Sequence, residues 1–307
     1  MVPLILDLDE TQPMTDYMHQ PVLLAEVLDL LITDLGGLYL DATLGLGGHS
    51  EAILRAISPN GKLLGLDMDP ESLHLATRRL HAHENFQTAR SNFRDAKRVL
   101  EERKFFPLTG ALFDLGVSSL HFDKAERGFS FSKEGPLDMR LSPDNPLTAS
   151  MIVNVWPEEQ IALLLKEYGE EPSARKIARA IVEKRAKKPF HTTTELAAMI
   201  ERLIPRQGSH QATKTFMALR IAVNAELENL TRGLESALPY MGHGGCLCVI
   251  TFHSIEDRIV KTLFQSFVDS GVCRFVKGGT GAIKPSAEEV ERNPRARSAK
   301  LRVVEKQ

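Results

Sequence analysis

No part of the 307-residue sequence reaches the run of about 18–20 uncharged apolar residues that a membrane-spanning helix needs. The longest apolar stretches, such as Gly245 to Phe252, are strand-length, and no membrane span is expected. Cysteine is scarce: there are three, two of them as Cys246-x-Cys248 inside an apolar run. This argues against a disulfide framework and fits a reducing cytoplasm. Two thiols spaced Cys-x-Cys inside an apolar run make a poor zinc site, and no metal is expected. The N-terminus has no basic flank, so it reads as neither a secretory signal nor an Arg-rich transit peptide. Glycine (21) and proline (16) stand at ordinary globular levels beside 43% hydrophobic and 25% charged residues. Collagen, coiled coil and general disorder are thereby excluded for the chain as a whole.

The net charge of −2 hides an asymmetry. Residues 1–54 hold nine acids and no lysine or arginine, whereas residues 172–220 hold eleven basic residues against three acids. A split of this kind points to nucleic acid or a membrane surface as a partner, against the plainer reading of a solvated face.

The first half alternates strand and helix signals. Leu38 to Asp41 reads as a buried strand, followed by a Gly-rich turn and a helix over 50–56. Lys62 to Asp67 reads as a second strand, with a helix over 70–80. A third strand is expected from Phe86 to Asn92, its helix over 96–102, and a fourth strand from Gly110 to Asp114. This rhythm argues for a parallel sheet covered on both faces. From about residue 120 to 211 no buried strand is evident. Helical spacing marks 161–168 and 174–185, and Thr192 with Glu195 forms a capping-box pair before Leu196. A long helix from Thr213 to about Leu238 is expected to break near Gly233. Strands return at 245–252, 273–276 and 301–304, with a helix over 255–267. The expected organisation is therefore one α/β domain (19–120 and 212–307) interrupted by a helical insert (121–211). Residues 1–18 read as an acidic, unstructured extension.

The first strand ends in Asp41-Ala-Thr-Leu-Gly45-Leu-Gly47-Gly48-His49-Ser50. Glycines let a backbone turn tightly and approach a ligand, and the next helix offers free N–H groups. An open α/β sheet binds its ligand outside the carboxyl ends of its strands. Two ligands fit. A dinucleotide needs G-x-G-x-x-G, and the last position here is Ser50. S-adenosylmethionine needs no such phosphate fingerprint, and a ribose-binding acid stands twenty residues beyond Gly47, at Asp67. Asp114 closes the fourth strand on the same edge and should also face the ligand.

Eight segments stand in order along the chain: Asp41-x-Thr-Leu-Gly-x-Gly-Gly-His-Ser50, Asp114-Leu-Gly-Val-Ser-Ser119, Arg127-Gly-Phe-Ser-Phe131, Gly135-Pro-Leu-Asp-Met-Arg140, Tyr168-Gly-Glu-Glu171, Ala212-Thr-Lys-Thr-Phe216 with Ala218 to Asn224, Phe252-His-Ser-Ile-Glu-Asp-Arg258, and Asn293-Pro-Arg-Ala-Arg-Ser298. Together they resemble the MraW/RsmH family, the bacterial 16S rRNA (cytosine-N4)-methyltransferases, from about His19 to Val304. The resemblance implies a Rossmann-like class I methyltransferase sheet with an inserted helical domain. It implies S-adenosylmethionine as methyl donor, and methylation of the exocyclic N4 of one cytidine in the decoding centre of the small ribosomal subunit. By position, Gly47, Gly48 and His49 would line the methionine end of the donor, Asp67 would hold the ribose and Phe93 would lie along the adenine. Asp114 would face the transferred methyl, and His121 stands where the family usually has Gln.

The N4 lone pair is delocalised into the pyrimidine ring, so the protein must supply in-line placement and an acceptor for an amine N–H. Asp114 is expected to orient the amine, assisted by Ser118 or Ser119. Asp138, Arg140 and His253 are candidate substrate-side groups, with an ion pair and a helix cap as their plainer readings. Asn224 reads as a helix-packing polar residue. Arg175, Lys176, Lys187 and Lys188 are candidate phosphate contacts in the insert. The other readings are a methyltransferase of another RNA or a small molecule, an NAD-linked oxidoreductase, and a silent RNA-binding protein.

Overall fold

The computed structural model describes residues 21–307 apart from 58, 207, 209 and 277–280. The expected extension at 1–18 lies outside the described residues. After α1 (Leu24–Leu31) the chain alternates β1 (Leu38–Asp41), α2 (Gly48–Ile57), β2 (Lys62–Asp67), α3 (Pro70–Leu80), β3 (Phe86–Arg90), α4 (Ala96–Arg103) and β4 (Leu108–Asp114). Then come α5 (Ser119–Asp123), α6 (Ala149–Val155), α7 (Glu158–Gly169), α8 (Ala174–Arg185), α9 (Thr193–Leu203) and α10 (Thr213–Asn224). Helix α11 (Glu226–Ala237) leads back to β5 (Met241–Thr251), α12 (Ser254–Asp269), β6 (Cys273–Phe275), α13 (Ala287–Arg292) and β7 (Lys300–Lys306). Between β4 and β5 the described residues form no strand, only an isolated bridge from Pro136 to Thr192.

The seven strands make one sheet in the order β3-β2-β1-β4-β5-β7-β6. Strands β1 to β5 pair in parallel, and β7 runs antiparallel to both of its neighbours. The expected doubly wound α/β fold is therefore present. Its centre is apolar on both faces, as a sheet buried by helices must be. Alternate residues serve opposite layers. Leu40, Leu64, Phe113 and Val249 face α4, α11 and α12. Tyr39, Leu63, Leu112 and Cys248 face α1, α2 and α3. Strand order reverses between β1 and β4, so the crevice opens beyond Asp41 and Asp114.

The helices after β4 have their own core, built on residues such as Ile152, Leu165, Ile177, Leu196 and Phe216. That core runs on through Val223, beyond residue 211 where the sequence pattern ended the insert. The expected long helix breaks at Ala225 (φ 49°, ψ 39°) and not near Gly233. Asn224 holds that break. Its Oδ1 accepts from Leu141 N–H (2.8 Å) and its Nδ2 donates to Met139 O (2.8 Å), so α10 is fastened to the loop before α6. Asn224 thus acts as the packing residue its sequence context suggested. Gly233 lies inside α11 for a packing reason described below.

Candidate active site

A cavity of about 750 Å³ opens at the strand reversal. Its floor is the turn after β1. Gly45 (φ 51°) and Gly47 (φ 78°) take left-handed conformations that residues with a Cβ rarely adopt. A Cβ on Gly48 would stand 2.7 Å from Pro21 Cγ. The turn is pinned from both sides by carboxylates. Asp41 Oδ2 accepts from Ser50 Oγ (2.6 Å) and Oδ1 from Thr43 N–H (3.1 Å), which closes the turn onto α2. Asp67 Oδ2 accepts from Gly45 N–H and Oδ1 from Asp69 N–H, both at 2.8 Å.

Asp67 lines the cavity with one lone pair on each oxygen still available, the pattern that a vicinal diol requires. Burial pushes its carboxyl up to about 7, against the lowering effect of the Asp69 and Gly45 N–H groups. At the same end stands Phe93, edge-on to Phe113 with ring centroids 5.7 Å apart. A flat ring at this place suits a purine.

Gly233 of α11 supports Phe93 from behind. A Cβ there would lie 2.6 Å from Phe93 Cδ2 and 3.3 Å from Phe113 Cε1. Alanine would normally help a helix by about 1 kcal/mol over glycine. Here the ring would have to shift towards the cavity, and overpacking costs about 1–3 kcal/mol. Gly233→Ala is therefore expected to lower the melting temperature and weaken donor binding severalfold, read by thermal melting and calorimetric titration. A higher melting temperature with unchanged affinity would remove this account of Gly233.

The other end of the cavity holds His49 and Asp114. His49 is 6% exposed, and its Nε2 lies 3.5 Å from Asp114 Oδ2, outside hydrogen-bond geometry. Both ring nitrogens of His49 and Oδ1 of Asp114 are buried without a hydrogen-bond partner. Buried polar atoms are costly when unpaired, so three at one wall mark where a polar ligand belongs. The Asp114 backbone is held rigidly, its N–H donating to Thr43 Oγ1 at 2.6 Å.

His121 lines this cavity but has no ring nitrogen to offer. Ser118 N–H donates to its Nδ1 (3.1 Å), which leaves the proton on Nε2 to donate to Asp69 Oδ2 (2.8 Å). Both ring nitrogens of His121 are thus engaged within the protein, and the ring braces the loop after β4 against Asp69. Ser118 Oγ lies 3.0 Å from the same Nδ1 and lines the cavity. Ser119 opens α5, and its side chain lies outside the described residues.

Three other candidates make contacts within the protein and lie outside the cavity wall. Arg140 grips Asp138 through Nε and Nη2 (2.9 and 2.8 Å), and its Nη1 donates to the carbonyls of Pro143 and Asn145. Burial opposes ionisation of Asp138, but the Arg140 hydrogen bonds outweigh it and hold the carboxyl below its usual range. The pair brackets Met139, a buried residue at φ 64°, and neither partner lines the cavity. His253 caps α12: its Nδ1 accepts from Glu256 N–H at 3.4 Å, while its Nε2, 3.1 Å from Glu256 Oε1, is buried without a hydrogen-bond partner. Glu226, His253 and Glu256 bring ligand-type atoms within 4.8 Å of one another. Arg220 already supplies the positive charge there, bonding Glu226 at 2.9 and 2.8 Å. Arg175, Lys176, Lys187 and Lys188 are exposed, and none lines the cavity.

The sequence reading missed Asp69 and Arg127. Asp69, 1% exposed, accepts from His121, from Ser72 Oγ (3.2 Å) and from Arg127 Nη1 (3.1 Å). Arg127 Nη2 donates in turn to the carbonyls of Arg140 and Leu141, tying the loop before α6 to α3. An aspartate directly before a proline at the first turn of a helix is a cap signal, and it could have flagged Asp69.

A family model described as the MraW methylase family matches residues 16–307. The chain is 47% identical over 303 residues to "Ribosomal RNA small subunit methyltransferase H" of Caldicellulosiruptor bescii, covering 94% of this chain and 99% of that one. It is 44% identical over 305 residues to the protein of the same name from Halothermothrix orenii, covering 94% and 98%. Among solved structures, an rRNA methylase from Streptococcus thermophilus aligns with 92% of this chain and 91% of its own, at 13% identity and a TM-score of 0.42.

Proposed function

This chain belongs to the MraW methylase family, and from that premise we propose that it methylates small-subunit ribosomal RNA, taking the methyl group from S-adenosylmethionine and placing it on the exocyclic N4 of a single decoding-centre cytidine. The observation that carries the reading is the wall of unpaired polar atoms at His49 and Asp114, in the same cavity as the Asp67 carboxylate. The residues fit the donor: Asp67 would hold its ribose, Phe93 would lie against its adenine, and the Gly45–Gly48 turn would border its methionine end. The donor, when bound, supplies a methyl group on a positively charged sulfur. The protein's share is placement and charge. Asp114 would accept an N–H of the target amine through Oδ1, which turns the nitrogen towards the methyl group and stabilises positive charge as it develops. His49, buried beside Asp114, would keep the carboxylate from rotating away.

The target base must leave any stack to enter the cavity, at a cost of a few kcal/mol. The insert is the source of compensating contacts. Arg175 and Lys176 at the start of α8, with Lys187 and Lys188 after its end, are exposed cations, Lys188 lying 3.1 Å from Glu195 Oε1. Phosphate contacts give affinity with steep salt dependence and no sequence choice. Changing these four to Glu is expected to weaken RNA binding at least tenfold while calorimetric donor binding stays as in wild type. Undiminished RNA affinity in low salt would count against this surface.

Among the described residues no helix is long and apolar enough to cross a membrane. The proposal is tested by nucleoside mass spectrometry of 16S rRNA from cells with and without the protein. N4-methylated cytidine should disappear with the protein and return with its gene. A methyl group lost from another nucleoside would replace cytidine N4 as the target, and an unchanged nucleoside profile would remove ribosomal RNA altogether.

A further inference from the structure

Two segments far apart in sequence meet at the mouth of the donor cavity. The loop after α5 contributes Ser130, Ser132 and Lys133, and the tight turn Pro294–Ser298 before β7 contributes Arg295. Phe122 of α5 joins them, with the Arg295 guanidinium over its ring, 5.9 Å from the centroid. The other cations of the cavity wall are already paired. Arg79 Nε bonds Glu51 at 2.9 Å, and Arg220 bonds Glu226 at 2.8 Å. Arg295 is exposed and has no carboxylate partner among the described residues. Lys133 Nζ donates to Asp123 O (2.8 Å) and stands 3.8 Å from that residue's carboxylate, which leaves ammonium protons to spare. The hydroxyls of Ser130 and Ser132 bond each other at 2.9 Å, so one of their two protons is free to donate.

An aromatic face beside an unneutralised guanidinium is the combination that holds single-stranded nucleic acid: the ring and guanidinium stack a base, and the cation meets a phosphate. We infer that this rim seats the nucleotide next to the methylated one, with its base against Phe122 and Arg295 and its phosphate on Lys133, Arg295 and the serine hydroxyls. The inference rests on RNA being the substrate. It divides the RNA contacts by task. The exposed cations on and after α8 lie outside the cavity and add affinity, whereas the rim lines the cavity itself and sets which nucleotide drops in.

The test measures binding of a transcribed decoding-centre RNA fragment across a salt series, with donor affinity measured separately by calorimetry. Arg295→Ala and Lys133→Ala are each expected to weaken RNA binding and to lower the slope of log affinity on log salt by about 0.7, the loss of one single-strand phosphate contact. Phe122→Ala is expected to weaken binding about tenfold with the slope unchanged, since stacking carries no counterion term. Donor affinity stays at the wild-type value in all three. Arg297→Ala is the control: it is equally exposed, two residues along, and outside the cavity wall. If Arg297→Ala matches Arg295→Ala, or if all three rim variants bind RNA as wild type does while the wild-type protein methylates it, the rim is refuted alone. A wild-type protein that neither binds nor methylates this RNA brings down the rim and the substrate reading together.

Discussion

Asp114→Asn is expected to bind the methyl donor nearly as well as wild type and to lose about 10²–10³-fold in the rate of methyl transfer, the usual loss when one preorganised electrostatic partner is removed. The wild-type side chain ends in an Oδ1 that is buried and unpaired, on a backbone fixed by the hydrogen bond to Thr43. A free carboxylate oxygen in a low-dielectric pocket interacts strongly with a nitrogen that gains positive charge, and weakly with the neutral amine before reaction. The effect therefore falls on turnover rather than binding. Asn keeps one acceptor but loses the charge, so Asp114→Ala should fall lower still. Single-turnover transfer of tritiated methyl to small-subunit particles, beside a calorimetric donor titration, separates the two effects. An Asn variant with wild-type turnover and intact donor binding would show that Asp114 does not handle the amine.

Which parts of this site were legible in the sequence follows from the range of the forces involved. Strands β1 and β2 and helices α3 and α8 begin and end where local signals place them: apolar runs, an Asp-Pro start and helical spacing of Ile177, Ala178 and Ile181. The ends of β1, β2 and β4 put Asp41, Asp67 and Asp114 on one edge, so the carboxylates of the cavity could be read in advance. The break at Ala225 could not. A left-handed alanine costs about 1–2 kcal/mol, and it is held by bonds from Asn224 to Met139 and Leu141, more than eighty residues away. Gly233 looked like a breaker because only the fold reveals that Phe93 packs against it. Distance also explains His121, whose Nε2 is bonded to Asp69 52 residues away, whereas Arg140 and His253 contact residues within five positions of themselves. Each is a polar residue in a suggestive motif; His121 and Arg140 spend their hydrogen bonds on the protein, while His253 keeps a buried Nε2 without a hydrogen-bond partner. Sequence order shows that such a residue is near the site but not which neighbour has already claimed it.

Asp67→Asn should cost about 10²-fold in donor affinity, because a diol that donates twice to a carboxylate meets a neutral amide with one acceptor, and hydrogen bonds to a charged group are worth about 1.5–3 kcal/mol each. Its diagnostic feature is pH. With burial holding the Asp67 carboxyl at about 7, a neutral buffer finds much of the free protein protonated there. Ribose hydroxyls favour the ionised form, so binding must displace that proton. The wild-type dissociation constant should rise towards tenfold per pH unit below about 7 and level off above it, and donor binding near pH 6.5 should release protons into the buffer. Stability moves the other way. The folded carboxyl holds its proton more tightly than the unfolded one, whose ordinary value is 3.8. This group therefore costs no stability below that value, costs progressively more as pH rises towards 7, and a constant amount beyond. Asp67→Asn removes both trends, giving weak donor binding with a flat pH profile and a melting temperature that no longer falls through this window. Titrations in buffers of different ionisation enthalpy, run beside thermal melts from pH 5 to 8.5, read both at once. A wild-type affinity that is flat across pH 6–8 would mean that Asp67 does not hold the donor's ribose as a carboxylate.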